Sequence, residues 1–480
     1  MTSSPHGIRR PKTKIVCTLG PSTESHETIR ALIESGMSVA RLNLSHGSLD
    51  THASAIEMVR TVSEELGIPV GVMVDVPGAK YRTGPLAPGV IDLVPGDELT
   101  LTSRDVVGTQ RLVGVAPPGI HRDAEAGRPI LLDDGFIELR VISIQRRDVL
   151  CEVIVGGRLT ESRGVATPGR SPSQKFPDEA AINALKFAAD QKADFVAIST
   201  VTTAGDIRRA REILEEHGLD AQVISKIERA EALENCDAII EASDAIMVAR
   251  GDMGVEIPLA RVPVVQKDLI ARCNAAGKPV ITATQMLESM VKLPVPTRAE
   301  VTDVANAVFD GTDAVMLSGE TSVGQYPVHA VKLMAQVAIE AEAALPYEAM
   351  ILDRARFVQQ QTEDAISYNA CRTAFRLEAS PIVAFTESGG TAGRVSKYRP
   401  VQHILALTPD ERMQRRLTLR WGVTPVIVHG LETVEDFFTK GEEQAVQVGG
   451  VEPGSQIVLV AGLPIGVPGG TNLLRVMTVP

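Results

Sequence analysis

Two short stretches set charged residues at the ends of β-branched runs: Ser225-Lys226-Ile227-Glu228 and Ala249-Arg250-Gly251-Asp252-Met253-Gly254. Carboxylates from two such runs, Glu228 and Asp252, suffice to hold one hard cation. Magnesium takes one or two carboxylates and fills the rest of its octahedron with water and substrate oxygens. The alternative is a rim pair bridging to Arg250 or Lys226, and either stretch alone does not separate the two readings. Further polar groups sit in comparable places. Arg41 and Asn43 lie in Ala40-Arg41-Leu42-Asn43-Leu44-Ser45-His46-Gly47, Arg82 follows a third run, and Thr284 lies in Ala283-Thr284-Gln285-Met286-Leu287-Glu288. A planar guanidinium fork matches phosphate oxygens, so Arg41 and Arg82 read as phosphate clamps. The chemistry implied is that of an anion pocket built around a divalent cation.

The runs that carry these groups are eight: Lys14–Gly20, Val39–Gly47, Val70–Gly78, Phe195–Thr200, Gln222–Glu228, Ala245–Asp252, Pro279–Gln285 and Ala314–Glu320. Each is followed by a helix-period segment, which is the signature of βα units and a parallel sheet. Eight in succession predict an α/β (β/α)₈ barrel of the TIM type, with its site at the polar strand ends. The third unit is interrupted. Over 83–169 the pattern changes to short alternating strands such as Glu98–Thr102 and Glu138–Ile144, with turns at Pro95-Gly96 and Gly156-Gly157. This predicts an inserted small β-barrel domain that closes over the strand ends as a lid. The barrel then occupies 1–82 and 170–344. Residues 345–480 read as a separate C-terminal α/β domain, with a helix through Ile366, Ala370, Ala374 and Leu377. Its strands are expected at Ile382–Phe385, His403–Leu407, Pro425–Val428 and Gln456–Ala461.

Composition excludes several classes of function. The 480 residues carry 48 basic and 60 acidic side chains, a net charge of -12, which disfavours nucleic acid and anionic membranes as partners. Cys17, Cys151, Cys236, Cys273 and Cys371 are scattered, with no C-x-x-C pair, and read as buried apolar residues. Met1 to Thr13 is polar and basic, unlike a signal sequence. The stretch Ile457 to Pro468 is broken by Gly462, Pro464 and Gly466 and falls short of the ~20 residues a membrane span needs. A cytoplasmic location is expected.

With these motifs in place the sequence resembles the pyruvate kinase family. The matching stretches are Lys12–Ser22 (KTKIVCTLGPS), Ala40–Gly47 (ARLNLSHG), Arg82-Thr83-Gly84, Ser225–Glu228 (SKIE) and Met247–Ile257 (MVARGDMGVEI). They continue through Lys278–Ser289 (KPVITATQMLES), Pro296–Asp303 (PTRAEVTD) and Met316–Thr321 (MLSGET), in family order across the barrel. Asp133-Asp134-Gly135, Arg163-Gly164-Val165 and Ser396–Pro400 (SKYRP) extend the likeness to nearly the whole chain.

The resemblance implies phosphoryl transfer from phosphoenolpyruvate to ADP, giving pyruvate and ATP, with two magnesium ions per turnover, one arriving with the nucleotide. Glu228 and Asp252 would be magnesium ligands. Lys226 would neutralise charge on the moving phosphoryl group and the enolate. Arg41 would contact the phosphate, Gly251 and Asp252 the substrate carboxylate, and Thr284 the enolate face. Asn43, His46, Arg82 and Arg163 match nucleotide-contacting positions, with Arg163 where a lysine is usual. A homotetramer and a phosphorylated effector, a sugar phosphate or AMP, are also implied. The effector loop would be Phe385-Thr386-Glu387-Ser388-Gly389-Gly390-Thr391, where hydroxyls and a helix N-terminus converge. A plain strand-to-helix turn is the alternative there.

The sequence departs from the family around the monovalent-cation site. Potassium-dependent members use an Asn, a Ser and an Asp-Thr pair. Asn43, Ser45 and Asp75 are kept, but Val76 replaces the threonine and Lys80 stands where those members carry glutamate. A lysine ammonium supplies the unit charge of potassium, so a potassium-independent enzyme is expected. Pro77 and Thr202 also replace usual basic residues. Other classes consistent with parts of the pattern are a magnesium-dependent lyase that stabilises an enolate and a catalytically dead metabolite sensor. A lyase would not need Arg82, Arg163 or the lid, and a sensor would have lost one of Lys226, Glu228, Asp252 or Thr284.

Overall fold

A computed structural model describes residues 10–169, 176–431, 433–464 and 470–480. Residues 1–9, residues 170–175 at the start of the expected second barrel segment, and residues 465–468 of the stretch Ile457 to Pro468 lie outside these. The eight expected runs form eight parallel strands: β1 (Lys14–Thr18), β2 (Met37–Asn43), β3 (Gly71–Val76), β4 (Phe195–Ile198), β5 (Gln222–Ile227), β6 (Ala245–Ala249), β7 (Val280–Ala283) and β8 (Ala314–Leu317). They pair in sequence order and close through β1 and β8, with Lys14 opposite Ala314 and Cys17 opposite Leu317.

Burial on both faces explains why these strands are unbroken apolar runs rather than alternating ones. Val16, Val39, Met73, Phe195, Ile224, Met247, Ile281 and Met316 fill the barrel interior, while Ile15, Cys17, Leu42, Val74 and Val248 pack outward under the helices. Each such side chain, fully removed from water, stabilises the fold by about 1.5–3 kcal/mol. Leu419 of the C-terminal domain joins the interior cluster from below. Helix starts are locally specified. Ser25 caps His26–Ser35, Ser48 caps Leu49–Leu66, and Thr297 with Glu300 forms a capping box on Arg298–Asp310.

Between β3 and β4 the chain builds a second closed barrel of seven strands, from Tyr81–Thr83 to Gly164–Ala166, with its own core around Leu99, Leu101, Ile130, Leu139 and Val149. The C-terminal sheet has five strands, ordered Val423–Ile427, Ile404–Thr408, Ile382–Phe385, Gln456–Gly462 and Thr471–Thr478. The first four were expected. The fifth runs antiparallel to its neighbour, and its half-buried, irregular pattern carries no clean two-residue period.

Buried charge joins this domain to the base of the large barrel. Arg399, 3% exposed, donates to both oxygens of Asp313 at 2.8 and 2.9 Å. Asp313 in turn accepts the Val280 N–H at the start of β7, 3.0 Å away. Among the described residues no helix is long and apolar enough to cross a membrane.

Candidate active site

Barrel closure carries polar residues at the ends of seven strands to one rim. Lys226, near the end of β5, lies 3.2 Å from Asp75 Oδ1 and 3.0 Å from Glu228 Oε1 and donates to Ser199 Oγ at 2.7 Å. Its side chain is 9% exposed. Burial disfavours the ammonium, but Asp75 and Glu228 outweigh burial and hold its pKa above the ordinary 10.5, so it stays charged. Asp75, at the end of β3, also accepts both Nε and Nη2 of Arg41, at 2.8 and 2.7 Å. Arg41 Nη1 reaches Thr18 Oγ1 at 2.7 Å. The guanidinium is thus held flat beneath the rim by two strands.

Glu228 is almost wholly buried. Its Oε2 accepts the Thr200 N–H at 3.2 Å, whereas Oε1 pairs with Lys226 without hydrogen-bond geometry. Asp252, in the short helix Arg250–Glu256, is 37% exposed and faces the cleft. Arg250 points away from both. It donates to Asp303 and to the carbonyls of Ala283 and Thr284, binding the Asp252 helix to the end of β7. The rim-pair alternative therefore does not run through Arg250.

The hydroxyl of Thr284 accepts the Gly251 N–H at 2.8 Å and donates to the Ala283 carbonyl at 2.7 Å. Thr284 and Gln285 have φ of 66° and 53°, a left-handed turn that a non-glycine residue adopts at a cost of about 1–3 kcal/mol. Such strain persists at sites where the surrounding contacts over-determine the geometry.

A cleft of about 290 Å³ opens above this cluster, between rim and lid, lined among others by His46, Lys80, Arg82, Arg163, Glu228 and Asp252. Arg82 donates to the Ser162 carbonyl, and Arg163 pairs with Asp133 at 3.2 Å. Burial first, then the charges of Arg82 and Arg41, depress the His46 pKa. Asn43 Oδ1 accepts the Ser45 N–H at 3.2 Å. The Lys80 ammonium lies with Asp252 and Glu228, at 2.6 and 3.4 Å, and among the described residues it forms no ion pair with Asp75. A separate cleft of about 390 Å³ lies at the far end of the barrel, against the C-terminal domain.

Sequence reasoning missed Thr18 and Ser199, whose hydroxyls hold Arg41 and Lys226. Their signal is position alone, since Thr18 ends β1 and Ser199 directly follows β4 at the rim. Thr202 serves a helix start, its N–H and hydroxyl bonded to Asp206. The Pro296–Asp303 and Met316–Thr321 motifs are also structural. Glu300 binds Ser289 as well as capping its helix, and Glu320 accepts the N–H groups of Leu287 and Ser318. In the distant loop 385–391 of the C-terminal domain, Gly389 has φ 81° at the start of Gly390–Lys397, Thr386 N–H bonds the Leu407 carbonyl, and Thr391 pairs with Thr471.

Among the described residues no three His, Cys, Asp or Glu side chains cluster as a ready metal cage. Glu228 and Asp252 nonetheless fit magnesium. They offer only hard oxygen donors, one Glu228 oxygen lacks a hydrogen bond, and the remaining positions fall to substrate and water. The fold is that of a (β/α)₈-barrel enzyme with a seven-stranded β-barrel inserted after its third strand. The family models described as "Pyruvate kinase, barrel domain" and "Pyruvate kinase, alpha/beta domain" match residues 10–331 and 364–477. Proteins named "Pyruvate kinase" from Staphylococcus aureus strains MRSA252 and USA300 are each 44% identical over 467 residues, 97% of this chain and 80% of theirs. The chain belongs to the pyruvate kinase family.

Proposed function

We propose that the chain makes pyruvate and ATP from phosphoenolpyruvate and ADP with the rim cluster as its active site. The observation that carries this reading is the buried Lys226 ammonium, held charged by Asp75, Glu228 and Ser199. A preorganised cation where negative charge develops is what phosphoryl transfer most depends on. Glu228 and Asp252 would hold one magnesium ion, which supplies charge neutralisation at the phosphoryl and enolate oxygens.

Arg41, fixed by Asp75 and Thr18, presents its guanidinium to the phosphoryl group. Gly251, Asp252 and Thr284 surround the carboxylate and enolate end, with Thr284 orienting the water or proton chain that serves the methylene carbon. Asn43, His46, Arg82 and Arg163 face the nucleotide, which brings the second magnesium. The lid, 83–169, excludes water when it closes on the barrel segments 1–82 and 170–344.

The finer properties are proposals of the same kind. Potassium is not required, because Val76 offers no hydroxyl to the site of Asn43, Ser45 and Asp75, and Lys80 already brings one positive charge into the cleft. The domain 345–480 takes a phosphorylated effector at Thr386, Ser388, Gly389, Gly390 and Thr391, with Gly389 and the following helix start as support. A cytoplasmic homotetramer completes the reading.

The test is a coupled assay of pyruvate from phosphoenolpyruvate and ADP with magnesium, with and without potassium, and with sugar phosphates or AMP at subsaturating substrate. Potassium-free turnover is expected. Absence of pyruvate overturns the site assignment, many-fold stimulation by potassium overturns the role of Lys80, and silence toward every effector overturns the loop.

A further inference from the structure

Lys80 stands in the link between β3 and the first lid strand, Tyr81–Thr83. Its ammonium lies 2.6 Å from Asp252 Oδ1 and 3.4 Å from Glu228 Oε2, so one side chain spans carboxylates brought by two different barrel units. Those are the same two carboxylates assigned above to the divalent cation.

The surroundings distinguish this contact from an ordinary surface pair. Asp75, Glu228 and Asp252 place three negative charges on the rim, and Arg41 and Lys226 supply two positive ones. Lys80 is the third. The three cations differ in freedom. Arg41 and Lys226 are 8% and 9% exposed and tied down by Thr18 and Ser199, whereas Lys80 is 31% exposed and joins no other ion pair among the described residues. A four-carbon stem with a free path to solvent lets the ammonium leave without moving the barrel. Asp134 of the inserted barrel lines the same cleft as Lys80 and Asp252, so a departing ammonium has another carboxyl group beside its path.

We propose that Lys80 is a displaceable occupant of the divalent-cation site, neutralising Glu228 and Asp252 until metal and anionic substrate arrive together. The proposal rests on the reading that these two carboxylates hold the metal. Metal alone must compete with an ammonium that is part of the chain. Metal accompanied by substrate brings phosphate and carboxylate oxygens that complete its shell and give the released ammonium new anions to face. Binding of metal and of phosphoenolpyruvate therefore reinforce each other, and by linkage the reinforcement is mutual.

The test is Mn²⁺ binding to the full chain, read from the electron paramagnetic resonance signal of free Mn²⁺, for wild type, Lys80→Met, Lys80→Gln, Asp252→Asn and the Lys80→Met/Asp252→Asn double variant. Without substrate, both Lys80 variants should bind Mn²⁺ about tenfold tighter than wild type. Asp252→Asn should bind more weakly, the double variant should lose the gain, and phosphoenolpyruvate should narrow the gap between wild type and Lys80→Met. Equal affinity of wild type and both Lys80 variants, with Asp252→Asn still weakened, overturns displacement and leaves the carboxylate site standing. Unchanged affinity in Asp252→Asn overturns the carboxylate site and displacement with it. A gain retained in the double variant places the effect elsewhere and also overturns displacement.

Discussion

Asp75 accepts the Nε and Nη2 of Arg41 at 2.8 and 2.7 Å while its other oxygen lies 3.2 Å from the Lys226 ammonium. One buried carboxylate thus sets the distance between the guanidinium proposed for the phosphate and the ammonium proposed for the enolate. Burial disfavours its charge, yet Lys226 and Arg41 hold its pKa below the ordinary 3.8.

Asp75→Asn keeps the shape and removes the charge that two buried cations share. Loss of one partner from a buried ionic network costs about 3–5 kcal/mol, so the unfolding midpoint in urea should fall. The surviving enzyme should show a higher KM for phosphoenolpyruvate and a lower kcat, since a misplacement of about 1 Å can cost about 10²-fold. Steady-state kinetics beside denaturation curves check both effects.

Lys226→Met leaves an apolar stem of similar length and removes the ammonium. The loss should fall on kcat by about 10²–10³-fold, the range for one preorganised charge donor. Its loss also frees Ser199 and the Lys226-facing oxygen of Glu228. Mn²⁺ binding measured alongside kinetics separates loss of charge stabilisation from loss of the metal.

Stability should depend on pH at both extremes. Burial opposes the Glu228 carboxylate, but Lys226 and Lys80 outweigh it and set its pKa well below the ordinary 4.5. Its stabilising contribution is present above pH 4.5 and is lost as the pH falls from there toward the depressed value. Lys226 runs the other way. With its pKa raised, its contribution is complete below 10.5 and is lost as the pH climbs beyond that value. Glu228→Gln should flatten the acid limb of a plot of unfolding midpoint against pH.

Gly71→Ala should loosen the join between β3 and the C-terminal domain. A Cβ there would stand 2.6 Å from Phe195 Cε2, 2.8 Å from Thr418 Oγ1 and 3.1 Å from the Arg415 carbonyl. Overpacking of this kind costs about 1–3 kcal/mol. Calorimetry should show a lowered Tm, whereas Gly67→Ala, with open space around it, should show only the smaller cost of its left-handed φ of 61°.

Sequence alone carried the eight barrel strands, the change to a β-rich insertion after the third, and the order of motifs that marks the family. Those signals are local. A two- or four-residue period and a polar strand end are written within a few residues of one another, so they survive without the fold. The fifth C-terminal strand, Thr471–Thr478, escaped because a half-buried edge strand has no such period. Tertiary structure decided which side chains meet. Lys226 and Asp75 are 151 residues apart, Arg41 and Thr18 are 23, and Arg399 and Asp313 are 86. The sequence named Lys80 as the internal cation of the monovalent-cation site of Asn43, Ser45 and Asp75, but only closure of the barrel beneath the link to the inserted domain set its ammonium against Glu228 and Asp252. The reason is physical: strand formation is governed by neighbours along the chain, whereas the partner of a charge is governed by distance in space.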